Sequence, residues 1–176
     1  MEIPFDGGVL RPWEISDAEE LAVIADNKDI ADNLRDMFPS PYSLEDARQW
    51  LSFVLEQEGP KRYFAIIVKG KLAGSIGLTP QTDIYRKNSE VGYFLAPKFW
   101  GRGITTEALK AATAYAFRTF DIVRVYAEPF ADNIGSRRVL EKAGYTLEAT
   151  FKNYVIKNGV IKDSCIYSVL KENFRF

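Results

Sequence analysis

The chain has 176 residues, 47% hydrophobic and 14% aromatic, which is enough apolar material to build the core of one packed domain. Its 23 basic and 24 acidic residues leave a net charge of −1, so no overall field favours binding to nucleic acid or to an anionic membrane. The chain has no histidine and one cysteine, which excludes histidine-based catalytic relays, histidine-ligated metals and thiolate-clustered zinc, and we therefore expect no metal.

Two further features concern the location of the protein. No apolar run approaches the ~20 residues that a membrane-spanning helix needs, and the chain does not open with the pattern of a signal peptide. A single cysteine cannot form an internal disulfide, which suits a reducing compartment. These features predict a cytoplasmic protein of one domain, residues 1–176, that does not bind membranes.

Apolar periodicity and turn residues divide the chain into helices and strands, with no linker, repeat or low-complexity segment. A further helical stretch is suggested around 29–35. The predicted order is βααβββαβαββ, which fits an α/β domain built on one mixed sheet with flanking helices. In chain order the elements are a strand at 9–13, helices at 16–25 and 45–55, strands at 63–68, 71–78 and from 90, a helix at 105–120, a strand at 123–129, a helix at 134–143, and strands at 147–156 and 160–170.

The most informative segment runs from Glu90 to Leu109 and predicts a strand, a glycine loop and the first turns of a helix. Pro97 ends the strand because it has no N–H to donate to a ladder. Gly101 and Gly103 allow the backbone to bend and to expose its N–H groups. Free N–H groups at a helix N-terminus attract anions, so the segment predicts a site for a phosphate-bearing ligand.

Two common nucleotide-binding patterns do not fit this loop. A dinucleotide fingerprint needs a third glycine where the chain has Thr106, and its acidic residue at the end of the next strand is missing, since Asp121 precedes that strand. A phosphate-binding P-loop needs a Gly-Lys-Ser or Gly-Lys-Thr sequence, which does not follow. A nucleotide-binding protein of another class is therefore disfavoured.

Two motifs resemble those of the GNAT N-acetyltransferase superfamily. Lys98-Phe99-Trp100-Gly101-Arg102-Gly103 is similar to its coenzyme A pyrophosphate loop, Gln/Arg-x-x-Gly-x-Gly/Ala, with Lys98 as the departure. The segment from Asn133 to Tyr145 is similar to the second signature, Asn-x-x-Ser…Glu-Lys-x-Gly-Phe/Tyr. Together with Trp-Gly-x-Gly…Thr-Glu-Ala-Leu, they point to the RimJ/RimL-like branch of ribosomal-protein N-terminal acetyltransferases. The resemblance runs from about residue 9 to 170.

This resemblance implies an enzyme that moves an acetyl group from acetyl-CoA to a primary amine by direct attack in a ternary complex. The acceptor would be a protein N-terminus or a small amine, and a homodimer is a further expectation. A non-catalytic CoA-binding regulator on the same fold stays open as the alternative, because Leu140 stands where many relatives carry a tyrosine. The expected fold is a single GNAT-like domain with a mixed central sheet.

The resemblance also implies residue roles. Glu90, at the start of the strand before the loop, is the candidate general base, although a strand-end carboxylate can also be solvated or ion-paired. Ser136 is the candidate general acid, and helix capping is an equally good account of it. A backbone N–H near Leu95 would hold the oxyanion. The expected coenzyme-binding residues are Phe94, Leu95, Ala96, Lys98, Trp100, Gly101, Arg102, Gly103, Ile104, Thr105 and Asn133.

Overall fold

A mixed eight-stranded sheet forms the centre of the structure, a computed structural model that describes residues 1–176. The strands are β1 (Ile3–Phe5), β2 (Gly8–Pro12), β3 (Tyr63–Val68), β4 (Lys71–Pro80), β5 (Asn88–Leu95), β6 (Arg124–Ala127), β7 (Thr146–Lys157) and β8 (Val160–Leu170). They lie side by side in the order β1-β2-β3-β4-β5-β6-β8-β7. Only β5 and β6 are parallel, and the other neighbours are antiparallel.

Helices cover both faces of this sheet. Tyr93 of β5 contacts the last helix through Ser136, whereas Phe94 packs against Phe38, which lies between the second and third helices, with ring centroids 5.6 Å apart. Because neighbouring side chains of a strand point to opposite faces, the last helix and the segment that contains Phe38 lie on opposite sides of the sheet. The helices are α1 (Ala18–Ala25), α2 (Lys28–Ala31), α3 (Leu44–Leu55), α4 (Ile104–Thr119) and α5 (Ile134–Lys142).

The predicted fold class, a single α/β domain with a mixed sheet, is confirmed, but the predicted element order needs correction. The observed order is ββαααβββαβαββ. The additional strand is β1, which has three residues, includes Pro4, and pairs with β2 across a turn at Gly7. Such a short proline-containing strand carries too little alternation to be found in the sequence. The helical stretch around 29–35 forms only the single turn α2, capped by the Asn27 side chain.

The parallel pairing of β5 with β6 is short, and it leaves part of β5 without a strand partner on one side. β5 and β6 are in register at only three positions, the last of which pairs Glu90 with Tyr126. β5 continues to Leu95 while it stays paired with β4 along its whole length. The side of β5 that faces β6 therefore has no strand partner from Val91 to Leu95, and a gap opens between the two strands.

Gly74 of β4 allows β5 to run this close to β4 near the gap. A Cβ atom at Gly74 would overlap the carbonyl oxygen of Phe94 and lie 3.0 Å from the Cα of Leu95. Gly92 of β5 offers a matched control, because a Cβ atom there would meet nothing within 4 Å.

We predict that Gly74→Ala lowers the free energy of unfolding by about 2 kcal/mol, because the backbone of β4 or β5 must shift to admit the methyl group. Gly92→Ala should leave the free energy of unfolding unchanged or raise it by up to about 1 kcal/mol. Urea denaturation of both variants measures the difference. Equal stabilities of the two variants would contradict the close approach at Gly74.

Candidate active site

The open side of β5 exposes the backbone groups of alternate residues. The Ala96 N–H donates to the Ala73 carbonyl at 2.8 Å, which fixes the alternation of the β4–β5 ladder. The backbone groups of Phe94 accordingly point towards β4, whereas those of Tyr93 and Leu95 point into the gap. Phe94, Leu95 and Ala96 were predicted to pair with the pantetheine arm, but of these only Leu95 presents its backbone groups to the gap. The backbone groups of Tyr93, which the prediction did not include, also face the gap.

Trp100 closes one end of the gap. Its indole N–H donates to the Leu95 carbonyl at 2.7 Å, and its backbone N–H donates to the Pro97 carbonyl at 3.0 Å. The first bond pairs the Leu95 carbonyl, so the Leu95 N–H still faces the gap, as do the backbone groups of Tyr93. The second bond uses the Trp100 backbone N–H, which the sequence predicts to be one of the phosphate-binding groups.

The glycine loop leads directly into α4. Gly101 and Gly103 have φ values of 73° and 77°, a left-handed conformation that favours glycine, and the helix begins at the next residue, Ile104. The six backbone N–H groups from Gly101 to Thr106 donate no hydrogen bond within the chain, and no side chain caps the helix. These unpaired N–H groups lie at the positive end of a 16-residue helix, an arrangement that attracts anions.

Two cations lie on this loop. Lys98 and Arg102 are exposed, and neither forms a salt bridge. The Lys98 Nζ lies 5.1 Å from the centroid of the Phe99 ring. The nearby carboxylate of Glu107 is paired with Lys110 at 2.8 Å, so its charge is balanced locally. The loop is therefore positive overall and suits a phosphate group.

The start of α5 brings two hydroxyl groups together beside the gap. The Asn133 side-chain oxygen accepts the Ser136 N–H at 3.1 Å, which is N-capping, while its amide nitrogen makes no hydrogen bond within the chain. The Ser136 Oγ lies 2.9 Å from the Tyr93 hydroxyl oxygen. Burial raises the pKa of Tyr93 to about 12, so this phenol stays protonated at neutral pH and can donate a hydrogen bond.

Glu90 lies on the opposite face of β5 from Tyr93, at the point where β5 and β6 separate. Its Oε1 accepts a hydrogen bond from Nη2 of Arg35 at 2.5 Å. The same nitrogen lies 3.4 Å from Oε2 of Glu128, which follows the end of β6. The side chains of Glu90 and Glu128 are each 21% exposed. One guanidinium thus contacts two carboxylates at the neck of the gap, which is the point where β5 and β6 separate.

Glu128 was not predicted from the sequence. Burial raises the pKa of its carboxyl group, the positive charge of Arg35 opposes this, and the negative charge of Glu90 adds to it. A groove of about 480 Å³ lies beside Glu128. Four of its eleven lining residues are aromatic, and its wall also contains the ion pair of Arg124 and Glu148. The lining residues are Gln81, Tyr85, Asn88, Arg124, Tyr126, Glu128, Glu148, Ala149, Phe151, Tyr154 and Ile166.

Comparison with known proteins agrees with this architecture. A family model described as an acetyltransferase (GNAT) domain matches residues 9–146. The probable N-acetyltransferase YjcK of Bacillus subtilis (strain 168) is 30% identical over 167 residues, which cover 92% of each chain.

Two solved structures superpose over nearly the whole chain. RimL, described as a ribosomal L7/L12 alpha-N-protein acetyltransferase in complex with coenzyme A, has a TM-score of 0.85 at 24% identity and covers 97% of this chain and 98% of its own, which is a likeness of fold. The microcin C7 self-immunity acetyltransferase MccE, in complex with acetyl-CoA and AMP, has a TM-score of 0.80 at 25% identity and covers 94% and 93%.

The chain belongs to the GNAT acetyltransferase family, since the family model matches well over half of its length. It is an acyltransferase, as the two sequence motifs predicted, and its likeness in fold to RimL is consistent with the predicted RimJ/RimL-like branch. No helix combines the length and the apolar character needed to cross a membrane. No three His, Cys, Asp or Glu side chains come together in an arrangement that could hold a metal ion.

The raised pKa of Glu128 predicts how stability depends on pH. A carboxyl group whose pKa is higher in the folded state than in the unfolded state contributes stability at low pH, and this contribution is lost as the pH rises through the folded-state pKa. Glutamine cannot ionise. We therefore expect the stability of Glu128→Gln, relative to the unmodified protein, to increase as the pH rises from about 4, the ordinary pKa of a glutamate side chain, towards neutral pH.

Urea unfolding of Glu128→Gln across this pH range is the measurement. Glu172→Gln, at an exposed position near the C-terminus, is the control for the loss of one carboxyl group. A stability difference for Glu128→Gln that stays constant or falls with rising pH would contradict the burial of this carboxyl group.

Proposed function

We propose that the protein transfers an acetyl group from acetyl-CoA to a primary amine, with both substrates bound at once. The observation that carries this proposal is the gap beside β5, which ends at the loop whose N–H groups from Gly101 to Thr106 have no partner in the chain. An extended ligand with a pyrophosphate at one end fits a site of this shape. The CoA and acetyl-CoA complexes of RimL and MccE support this choice of co-substrate.

The residues around the gap fit the parts of acetyl-CoA. The pyrophosphate would be held by the loop N–H groups, and the cations of Arg102 and Lys98 would balance its charge. The free amide nitrogen of Asn133 can donate to a carbonyl of the pantetheine arm. The Leu95 N–H faces the gap and can donate to the thioester oxygen, where negative charge develops during transfer.

Acetyl transfer needs a neutral amine, and an alkylamine of pKa about 10 is protonated at neutral pH. We assign Glu90 as the base that removes this proton, directly or through a water molecule, because it lies at the neck of the gap. The amine nitrogen then forms a bond to the acetyl carbon, and the carbon–sulfur bond breaks. We assign Ser136 as the donor of a proton to the departing thiolate, with the Tyr93 hydroxyl as its hydrogen-bond partner. The proton that the attacking nitrogen loses as the amide forms replaces the one that Ser136 gives up, so the serine hydroxyl is restored.

The acceptor is proposed only as a class. RimL is described as a ribosomal L7/L12 alpha-N-protein acetyltransferase and MccE as a microcin C7 self-immunity acetyltransferase in complex with acetyl-CoA and AMP, so the two descriptions do not point to one acceptor. Incubation with acetyl-CoA and a panel of N-terminal peptides and small amines, followed by release of the free thiol, tests the proposal. Thiol release that depends on one acceptor class supports it. Tight CoA binding without thiol release from a broad panel would contradict catalysis.

The homodimer stays a prediction, which sedimentation velocity tests.

We predict that Glu90→Gln lowers the turnover number by about 100-fold or more, because the amide cannot accept the amine proton. Its affinity for CoA, measured by calorimetry, should not change, because Glu90 lies on the opposite face of β5 from Ser136 and away from the glycine loop. Glu172→Gln serves as the control for loss of one negative charge. An unchanged turnover number in Glu90→Gln would overturn the assignment of the base.

The pair of hydroxyl groups gives a further prediction. If Ser136 and Tyr93 act as one unit, Ser136→Ala and Tyr93→Phe each lower the turnover number, and the double variant is no slower than Ser136→Ala alone. A double-mutant cycle on the turnover number measures this coupling. Independent, multiplicative effects would instead mean that the hydrogen bond between the two hydroxyl groups plays no part in transfer.

A further inference from the structure

Arg35 stands at the position that an acceptor amine has to reach. Its guanidinium lies 2.5 Å from Glu90 and 3.4 Å from Glu128, and both contacts use the same nitrogen, Nη2. An acceptor ammonium ion has the same positive charge and the same kind of donor. Two cations cannot occupy one site between two carboxylates without repulsion. The guanidinium and the acceptor ammonium therefore compete for this site.

The segment that carries Arg35 is fixed, but the side chain is not held firmly. On either side of Arg35, Asp32 accepts a hydrogen bond from Asn158 and Asp36 accepts one from Lys157, both at 2.9 Å. These bonds tie the segment to the turn between β7 and β8. The Arg35 side chain itself is 63% exposed and contacts each carboxylate through one nitrogen only. Ion pairs of this kind contribute little to stability, so another cation can replace the guanidinium at small cost.

The groove beside Glu128 provides a place for the rest of an acceptor molecule. Tyr126 is in register with Glu90 on the neighbouring strand, so its side chain lies on the same face of the sheet. Tyr126, Tyr154 and Glu128 all line the groove. Aromatic faces next to carboxylates suit an alkyl chain that ends in an ammonium group.

We propose that Arg35 determines acceptor specificity by occupying the place of the acceptor's ammonium group between Glu90 and Glu128, so that only a cationic amine displaces it. This inference rests on the proposed function and deepens it, since it makes Glu128 a second carboxylate for the amine. Alkylamines, which are protonated at neutral pH, can replace the guanidinium. Aromatic amines, which are neutral there, cannot gain the same ion pairs and are poor acceptors.

Steady-state kinetics with an alkylamine acceptor tests the competition. In Arg35→Gln the KM for the acceptor should fall about fivefold with the turnover number little changed, because the competing cation is gone. Arg35→Lys keeps a cation and should restore the original KM. Arg48→Gln, an exposed position on α3, removes one positive charge elsewhere and should leave both constants unchanged. A purely structural role of Arg35 would instead lower stability and the turnover number and would not be restored by lysine in this way.

A binding measurement without acetyl transfer separates this inference from the proposed function. NMR titration with n-butylammonium chloride should show about fivefold tighter binding to Arg35→Gln than to the unmodified protein, and the gain should disappear in Arg35→Gln/Glu128→Gln. Equal affinities, weaker binding to Arg35→Gln, or no binding to either protein would overturn the inference. Tighter binding together with no thiol release from any acceptor would instead contradict the proposed function and leave the role of Arg35 intact.

Discussion

Strands β5 and β6 pair in parallel over three positions and then separate, while β5 stays paired with β4 to its end. This single departure creates the gap, turns the Leu95 and Tyr93 backbone groups away from any strand partner, and directs the chain into the loop before α4. The close contact at Gly74 keeps β5 on β4 beyond the point of separation. Every group assigned to the site lies along this gap or at one of its ends.

The gap also joins the two faces of the sheet, and the groups to which we assign catalytic roles are divided between them. Ser136 and Tyr93 lie on the face covered by α5, and their hydroxyl groups are in contact. Glu90 lies on the other face, together with Arg35 and the groove beside Glu128. The proposed proton donor and the proposed proton acceptor are therefore separated by strand β5. This arrangement allows a coenzyme and an amine to approach from opposite sides.

The parts of the site that are local in sequence could be predicted, and the parts that depend on strand order could not. Gly101 and Gly103 predict a turn into a helix, and Asn133 predicts a helix cap, because each residue acts on others only a few positions away. Arg35 meets Glu90 across 55 residues of chain and Glu128 across 93. Only the parallel neighbourhood of β5 and β6 brings these carboxylates together, and no local pattern encodes it. The family itself could be predicted because two local motifs occur in the right order.

The central claim is that the coenzyme binds along the open side of β5 and at the start of α4. Backbone amide NMR spectra of the ¹⁵N-labelled protein, recorded during titration with CoA, test it most directly. The account predicts that the largest shifts fall on the amides from Gly101 to Thr106 and on Leu95, while the amides of the β1–β2 hairpin stay in place. Shifts confined to other parts of the sheet, with the loop amides unmoved, would contradict it.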